Sequence, residues 1–488
     1  MSRSALAVLF VAAAGCVHGP PAIEGTAPVP ASSSSVWRPT ASVVSSGARD
    51  QVLSPGAALP PAANIGRLTL SGVVDLALRN SPATRFSYTQ ALAAADVYGS
   101  TEGRVFPTIT AGVAANRALA LSTPGRAAVE RMQYGPSVSL TYTVLDFGGR
   151  SGSVDVARQT AIAADLTHNA TVQNTILQVE GAAFSYLSTR SQRDAQQIAV
   201  QLATSALDAA NERHRVGLAT IADVLQAQTA RSAAELQLET LEGGVQITRG
   251  SLAAAMGFPA NTPVDIPDVP ASDSAHFITQ SVDTLIEVAV RNRPELATAR
   301  AQSAAASSQI RVAKSGYLPA LAFGATGASN GSDVSTFAGR TYSLNFGVQM
   351  PVFTGFSNQY DVQAANEQYR SALARSEITK QQIIQQVFTA YYTLRTSTDR
   401  VRTVADLLAS AVQSETVARE RYKEGVGTIV DLLVAQSALA AARAQSVDAR
   451  WQWRASLAQL AHDVGVLNAR GDTTFSPLTA APDVKPGR

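Results

Sequence analysis

Cysteine, histidine and long apolar runs are scarce in this chain, and each scarcity excludes a class of function. A single cysteine among 488 residues cannot form an intramolecular disulfide. The five histidines lack the spacing of metal ligands and no catalytic set of side chains stands out, so we expect neither an enzyme nor a bound metal or cofactor. A formal charge of +2 gives no basis for nucleic-acid binding. No apolar run of about eighteen residues follows the N-terminal segment, which excludes a transmembrane helix.

What the chain does contain is alanine-rich sequence with moderate charge. Hydrophobic residues make up 46% of it, which is enough for a large core. Aromatic residues make up only 6%, so we expect closely packed helices rather than a bulky globular core.

The N-terminus carries the features of an export signal. A basic start and an apolar stretch lead to three small residues at 13–15, directly before Cys16. This order resembles the lipobox of bacterial lipoproteins and predicts a signal peptide at residues 1–15 and acylation of Cys16. Val17 after the cysteine favours the outer membrane. The alternative is an ordinary cleaved signal followed by an incidental cysteine.

An internal duplication organises the rest of the chain. Residues 212–228 reappear 208 positions later as 420–436, with nine of seventeen residues identical. We therefore divide the chain into a Pro/Ser-rich tether, a first repeat, a second repeat and a C-terminal tail, at residues 16–64, 65–270, 271–470 and 471–488. In each copy a glycine precedes a threonine and an aspartate between two helical patterns, which predicts the tip of a helical hairpin.

Alternating apolar and polar residues predict strands in both repeats. The clearest runs, 136–145 and 342–350, each follow a weaker candidate, at 108–115 and 320–328, so we predict strand hairpins at 106–147 and 318–353. In lipid such a sheet must close into a barrel, and four strands are too few without oligomerisation. The apolar face would then meet outer-membrane lipid through Val138, Leu140, Tyr142, Leu344, Phe346 and Val348. The alternative is a soluble sheet packed on helices.

Helical patterns fill the remainder. We predict helices at 72–103, 150–216 and 219–256, and again at 283–316, 358–424 and 428–464. The longest would span ~100 Å, and the two shorter ones together match its length, which indicates a two-column rod. Apolar residues in the long helices recur in steps of three and four, as in a coiled coil or the wall of an α-barrel.

Together these features resemble the TolC-type outer-membrane efflux factors, in their lipoprotein branch. The resemblance is carried by the duplication, the Gly-x-x-Thr-Ile-x-Asp tips, the Pro-Val-Phe-Thr-Gly-Phe run at 351–356 and the lipobox. It implies a mainly α fold in which a homotrimer builds one β-barrel, with four strands from each chain, and an α-barrel across the periplasm. It also implies docking to an inner-membrane transporter through a periplasmic adaptor protein, without a cofactor.

The resemblance also implies two sets of site residues at the tips. Asp431 and Val434 would form the pore gate, although some members carry a second Asp at the position of Val434 and an Arg at that of Gly427. The alternative for Asp431 is an N-cap of the returning helix. Adaptor hairpins would contact Gly217, Leu218, Thr220, Gly425, Val426 and Thr428. The alternative for the two glycines is a helix C-cap.

We therefore predict an outer-membrane channel that serves as a passive conduit for small molecules in a tripartite export system. Two alternatives remain: a lipid-anchored periplasmic coiled-coil scaffold, and the outer-membrane channel of a type I protein secretion system.

Overall fold

The computed structural model describes residues 69–120, 129–267, 280–333 and 338–467. The predicted signal peptide, Cys16, the tether and the C-terminal tail lie outside these described residues.

The described part of the chain runs through the same order of elements twice. The first pass comprises α1 (Leu70–Asn80), α2 (Pro82–Gly103), β1 (Thr108–Ala120), β2 (Val129–Leu145), α3 (Gly149–Arg215) and α4 (Ile221–Ala255). The second pass comprises α5 (Val282–Asn292), α6 (Pro294–Ser315), β3 (Ala320–Ser332), β4 (Gly339–Gln349), α7 (Ser357–Lys423) and α8 (Ile429–Val464). Helices α3 and α7 each have 67 residues, and each end lies within one residue of the bound predicted from the helical pattern.

Two helix predictions were wrong at a proline. The predicted helices 72–103 and 283–316 are each broken in two, at Ser81 and at Arg293. A proline disfavours the helical conformation of the residue before it, and Ser81 and Arg293 accordingly have extended ψ angles of 123° and 121°. Pro82 and Pro294 then begin the next helix, where the missing N–H is not needed.

The four strands form one antiparallel sheet in the order β1-β2-β3-β4. Both predicted hairpins are present, and β2 and β3 join them. All four strands are longer than predicted, and an irregularity lies between Thr143 and Leu145. Within the described residues, β1 and β4 each pair on one side only.

The chain divides into two compact units, and each draws on both repeats. The first unit comprises Thr89–Asp165 and Leu296–Thr379, and it contains the sheet. The second comprises Leu166–Glu295 together with the described parts of 26–88 and 380–488.

The core of the second unit packs α1 against α3 and α4. Val74, Val179 and Leu252 are fully buried there. The segment after α4 closes this core with Val264 and Ile266, and Arg190 holds the segment through an ion pair with Asp265 at 2.8 Å. Among the described helices, none is both long enough and apolar enough to cross a membrane.

Candidate functional site

Each predicted hairpin tip begins with a glycine that ends a long helix. Gly217 has φ 79°, and the N–H groups of Gly217 and Leu218 donate to the carbonyls of His214 and Arg213 at 3.0 and 2.7 Å. This is a Schellman motif, in which the left-handed residue is nearly always glycine. The second tip repeats the motif at Gly425, with φ 81°. Both glycines are therefore helix C-caps.

The returning helix of each tip starts with a capping box. In the second tip, Thr428 Oγ1 accepts from the Asp431 N–H at 3.1 Å, and the Asp431 carboxylate accepts from the Thr428 N–H at 3.2 Å. Thr220 and Asp223 form the same pair in the first tip. The N-cap of α8 is thus Thr428 and not Asp431, because the carboxylate comes three residues later and reaches back.

The capping box also determines the charge of Asp431. Its hydrogen bonds with Thr428, and the nearby positive charge of Arg421, hold the pKa of the Asp431 carboxyl below its usual value. The residue is exposed, so at neutral pH it presents a carboxylate to solvent. Val434 lies one turn further along α8 and is 64% exposed. Both predicted gate residues therefore line one cleft between α7 and α8.

The two tips pack against each other. Ala210 and Ala227 of the first tip share a buried cluster with Tyr422 and Ile429 of the second. Arg213 adds a polar contact, because its guanidinium lies 4.8 Å from the centre of the Tyr422 ring and donates to the Tyr422 carbonyl. Burial raises the pKa of the Tyr422 hydroxyl.

The tips differ at Gly427, which corresponds to Ala219 of the first copy. A Cβ added at Gly427 would lie 3.1 Å from Arg421 Cβ and 3.2 Å from the Tyr422 nitrogen, closer than nearly all such contacts. A larger residue would therefore have to displace the end of α7.

Exposed apolar side chains surround both tips. The largest exposed fractions are 71% for Leu218 and 68% for Val426. Ile221, Leu225 and Val430 extend the apolar surface along the first turns of α4 and α8, with 59%, 59% and 49% exposed. A monomeric soluble protein rarely leaves so many large apolar groups in water at one place.

The strand register brings the residues predicted to face lipid onto one face of the sheet. Leu140 lies opposite Ala325, which lies opposite Leu344, and Tyr142, Phe323 and Phe346 form the next row. Tyr342, Leu344, Phe346 and Val348 have exposed fractions of 89%, 71%, 74% and 71%. If the sheet were soluble and packed on helices through this face, these β4 side chains would be buried. Their exposure therefore does not fit that alternative.

Sequence reasoning missed a group of buried polar side chains in the second unit. Arg293, at the break between α5 and α6, forms ion pairs with Glu295 at 2.9 Å and Asp463 at 3.3 Å, and donates to Gln386 at 2.9 Å. His462 links this group to α3 through Asn174 at 2.9 Å. The one sequence feature that could have indicated this group is that the second repeat has Arg293 where the first repeat has Ser81.

Two other ionisable side chains are buried in α3. His168 lies 2.8 Å from the Ser87 hydroxyl, and burial lowers its pKa to about 4. Glu180 is fully buried, and burial raises its pKa to about 7. Among the described residues, no three histidine, cysteine or acidic side chains gather as metal ligands would.

Comparison with known proteins identifies the family. The outer membrane efflux protein family matches residues 73–258 and 285–466. The chain belongs to this family. Protein CyaE of Bordetella pertussis is 27% identical over 80% of this chain and 82% of its own length, and the outer membrane protein TolC of Salmonella enteritidis is 26% identical over 71% and 73%. The crystal structure of VceC from Vibrio cholerae shares the fold, with TM-score 0.73 and 17% identity over 81% of this chain and 96% of that one.

Family membership confirms the main predictions. The chain is an outer-membrane efflux channel protein of the TolC type, with a mostly helical fold and one antiparallel sheet of four strands. Its place is the outer membrane, and its family is one of channels rather than enzymes.

Proposed function

We propose that three copies of this chain form one channel, in which each copy contributes its four strands to a single β-barrel. The sheet supports this proposal most directly. Among the described residues its two edge strands pair on one side only, and one of its faces is apolar and exposed. Open edges are costly in a bilayer, and closure with the sheets of other copies removes them.

Both ends of the apolar face support a position in the membrane. At the loop end, the register places Arg117 and Glu130 on this face, where they form an ion pair at 2.9 Å. At the helix end, Phe106, Phe353 and Phe356 are 67%, 77% and 63% exposed. Strands that cross a bilayer typically carry an apolar band with aromatic groups at its boundary, and the ion pair marks where that band ends at the loops.

The helices then continue the conduit into the periplasm, and the tips receive the adaptor. Leu218, Val426 and their apolar neighbours offer a surface for the hairpin of a periplasmic adaptor protein, which in turn holds an inner-membrane transporter. Gly217 and Gly425 shape the two turns, while Thr220 and Thr428 cap the returning helices. The channel passes small molecules outward without binding a cofactor.

Asp431 and Val434 form the gate at the second tip. The capping box keeps Asp431 ionised and fixes its position, so the same carboxylate both stabilises α8 and presents a charge to the pore. Asp431→Asn retains an acceptor for the Thr428 N–H and removes only the charge. It should change the single-channel conductance and ion selectivity with little loss of stability. Unchanged conductance would leave Asp431 with the capping role alone.

Acylation of Cys16 would anchor each copy to the outer membrane. The proposal rests on the lipobox-like sequence before Cys16. Mass spectrometry of the mature N-terminus should find acyl chains in the wild type and none in Cys16→Ser. An unmodified cysteine in the mature wild type would refute the anchor.

Paired substitutions on the two faces of β4 test the channel. Arginine at Leu344 would face lipid, where it costs about 2–4 kcal/mol near the bilayer midplane, so trimers in outer-membrane fractions should be lost. Arginine at the neighbouring Ser343 would face water and should leave trimers and single-channel conductance in planar bilayers. A wild type that is soluble or never conducts would instead favour the scaffold.

A further inference from the structure

A row of hydroxyl side chains crosses the polar face of the sheet at one level. The register pairs Thr110 with Ser139, Ser139 with Thr326, and Thr326 with Ser343. Each strand therefore contributes one hydroxyl to the row. Thr110, Thr326 and Ser343 are exposed, and Ser139 is half-buried.

The same face carries no charge in the levels around this row. One side of the row is flanked by Thr108, Thr141, Gly324 and Asn345, and the other by Gly112, Ser137, Ala328 and Thr341. Across residues 108–116, 133–143, 322–330 and 341–349, the positions that share this face include no acidic or basic side chain. The polar face of this stretch can form hydrogen bonds but has no fixed charge.

We propose that this row, Thr110, Ser139, Thr326 and Ser343, is a hydroxyl collar in the wall of the conduit, where passing solutes meet hydrogen-bonding groups only. The inference rests on the proposed trimeric channel, in which three copies repeat the row around the lumen. A hydroxyl both donates and accepts a hydrogen bond, so it serves ammonium, carboxylate and amide groups alike. This stretch of the wall therefore admits cations, anions and neutral polar solutes without sorting them by charge.

Charge selection must then arise elsewhere in the channel. Rings of carboxylates favour cations and rings of basic groups favour anions, whereas the collar offers neither. Asp431 presents a carboxylate at the second tip, so removal of that charge should weaken any preference of the wild type for cations.

Reversal potentials across planar bilayers under a salt gradient test the proposal. In Asp431→Asn the reversal potential should move toward zero, away from the ~59 mV limit that a tenfold gradient sets for a perfectly selective channel. Addition of Ser343→Asp should shift it toward the cation limit, because one carboxylate from each copy now lies in the collar. An unchanged reversal potential on addition of Ser343→Asp would overturn the proposal.

A thiol variant adds the charge after folding and keeps the test independent of assembly. A sulfonate-bearing thiol reagent should shift the selectivity of reconstituted Ser343→Cys toward cations and leave treated wild type unchanged. Leu344→Cys on the opposite face is the matched control and should not shift. An equal response of the two variants, or none at Ser343→Cys, would refute the collar while the channel stands. A wild type that never conducts would overturn the channel and the collar together.

Discussion

Replacement of Glu180 by glutamine should change how the stability of this protein depends on pH. Glu180 lies on the same face of α3 as Ile176, Ala183 and Leu187, which belong to the apolar core of the second unit. The side chain is fully buried, and among the described residues neither carboxylate oxygen has a hydrogen-bond partner. Burial disfavours the charged form and raises the pKa of Glu180 from 4.5 to about 7.

The raised pKa converts into a free energy of unfolding. The unfolded chain loses the proton near pH 4.5, whereas the folded chain keeps it until about pH 7. Below pH 4.5 both states are protonated and the carboxyl contributes no charge penalty. The stability that the protonated carboxyl gives the folded chain decreases above pH 4.5 and is lost as the pH rises through 7. At about 1.4 kcal/mol for each pH unit between the two pKa values, the ionised Glu180 costs about 3 kcal/mol above pH 7.

Urea unfolding of the full chain in detergent measures this effect. Between pH 5 and pH 8, the free energy of unfolding of Glu180→Gln should gain about 2 to 3 kcal/mol relative to the wild type. Glu239→Gln removes an exposed glutamate from α4 and should follow the wild type. Parallel curves for Glu180→Gln and the wild type would refute the reasoning.

His168 gives the stability of the folded chain a pH dependence opposite to that of Glu180, so both proteins in the comparison must retain this histidine. Its folded pKa of about 4 lies below the usual 6.5, so the stability that it contributes is present above pH 6.5 and is lost as the pH falls through 4. In the wild type this offsets part of the Glu180 effect. Because both proteins in the comparison retain His168, its contribution cancels and the difference reports Glu180.

Two further predictions concern helix ends. Thr428→Ala removes the N-cap of α8 and should cost about 1 kcal/mol, seen as faster amide exchange in the first turn of α8, whereas Thr428→Ser should behave as the wild type. Arg293→Met leaves Asp463 buried without its cation and should cost about 3–5 kcal/mol in urea unfolding. The exposed Arg291→Met is its control, and equal losses in the two variants would contradict a role for the buried ion pairs.

The sequence predicted the strands and the tips well because their signals are local. Alternation in 136–145 and 342–350 depends only on which face is apolar, and the register confirms it. The glycine and threonine of each tip are dictated by the backbone of a single turn. The helix breaks at Ser81 and Arg293 also have a local signal, the proline that follows each residue. We overlooked it because the helical periodicity continues across both breaks.

The buried polar groups could not be predicted because they depend on packing between distant segments. Glu180 shares a face of α3 with Ile176, Ala183 and Leu187, and only the segments packed against that face decide that its carboxyl is buried. Gly324 and Gly331 have a similar explanation. A Cβ there would lie 2.4 Å from the Asn345 side chain and 2.7 Å from the Tyr134 ring, contacts that only the register reveals.

The duplication accounts for the fold, whereas the differences between the repeats account for the specialised parts. Both tips keep the same glycine and the same capping box, so those residues build the turn. Tyr422 stands where the first repeat has His214, and the guanidinium of Arg213 from the other tip lies over its ring. The two tips therefore contribute different residues to the contact between them. Arg293 replaces Ser81 and brings a buried charge to the second repeat alone. A residue that differs between equivalent positions is free of the demands of the shared turn, as Val434 is where the first repeat has Gln226, whereas Asp431 serves the shared capping box and the proposed gate together.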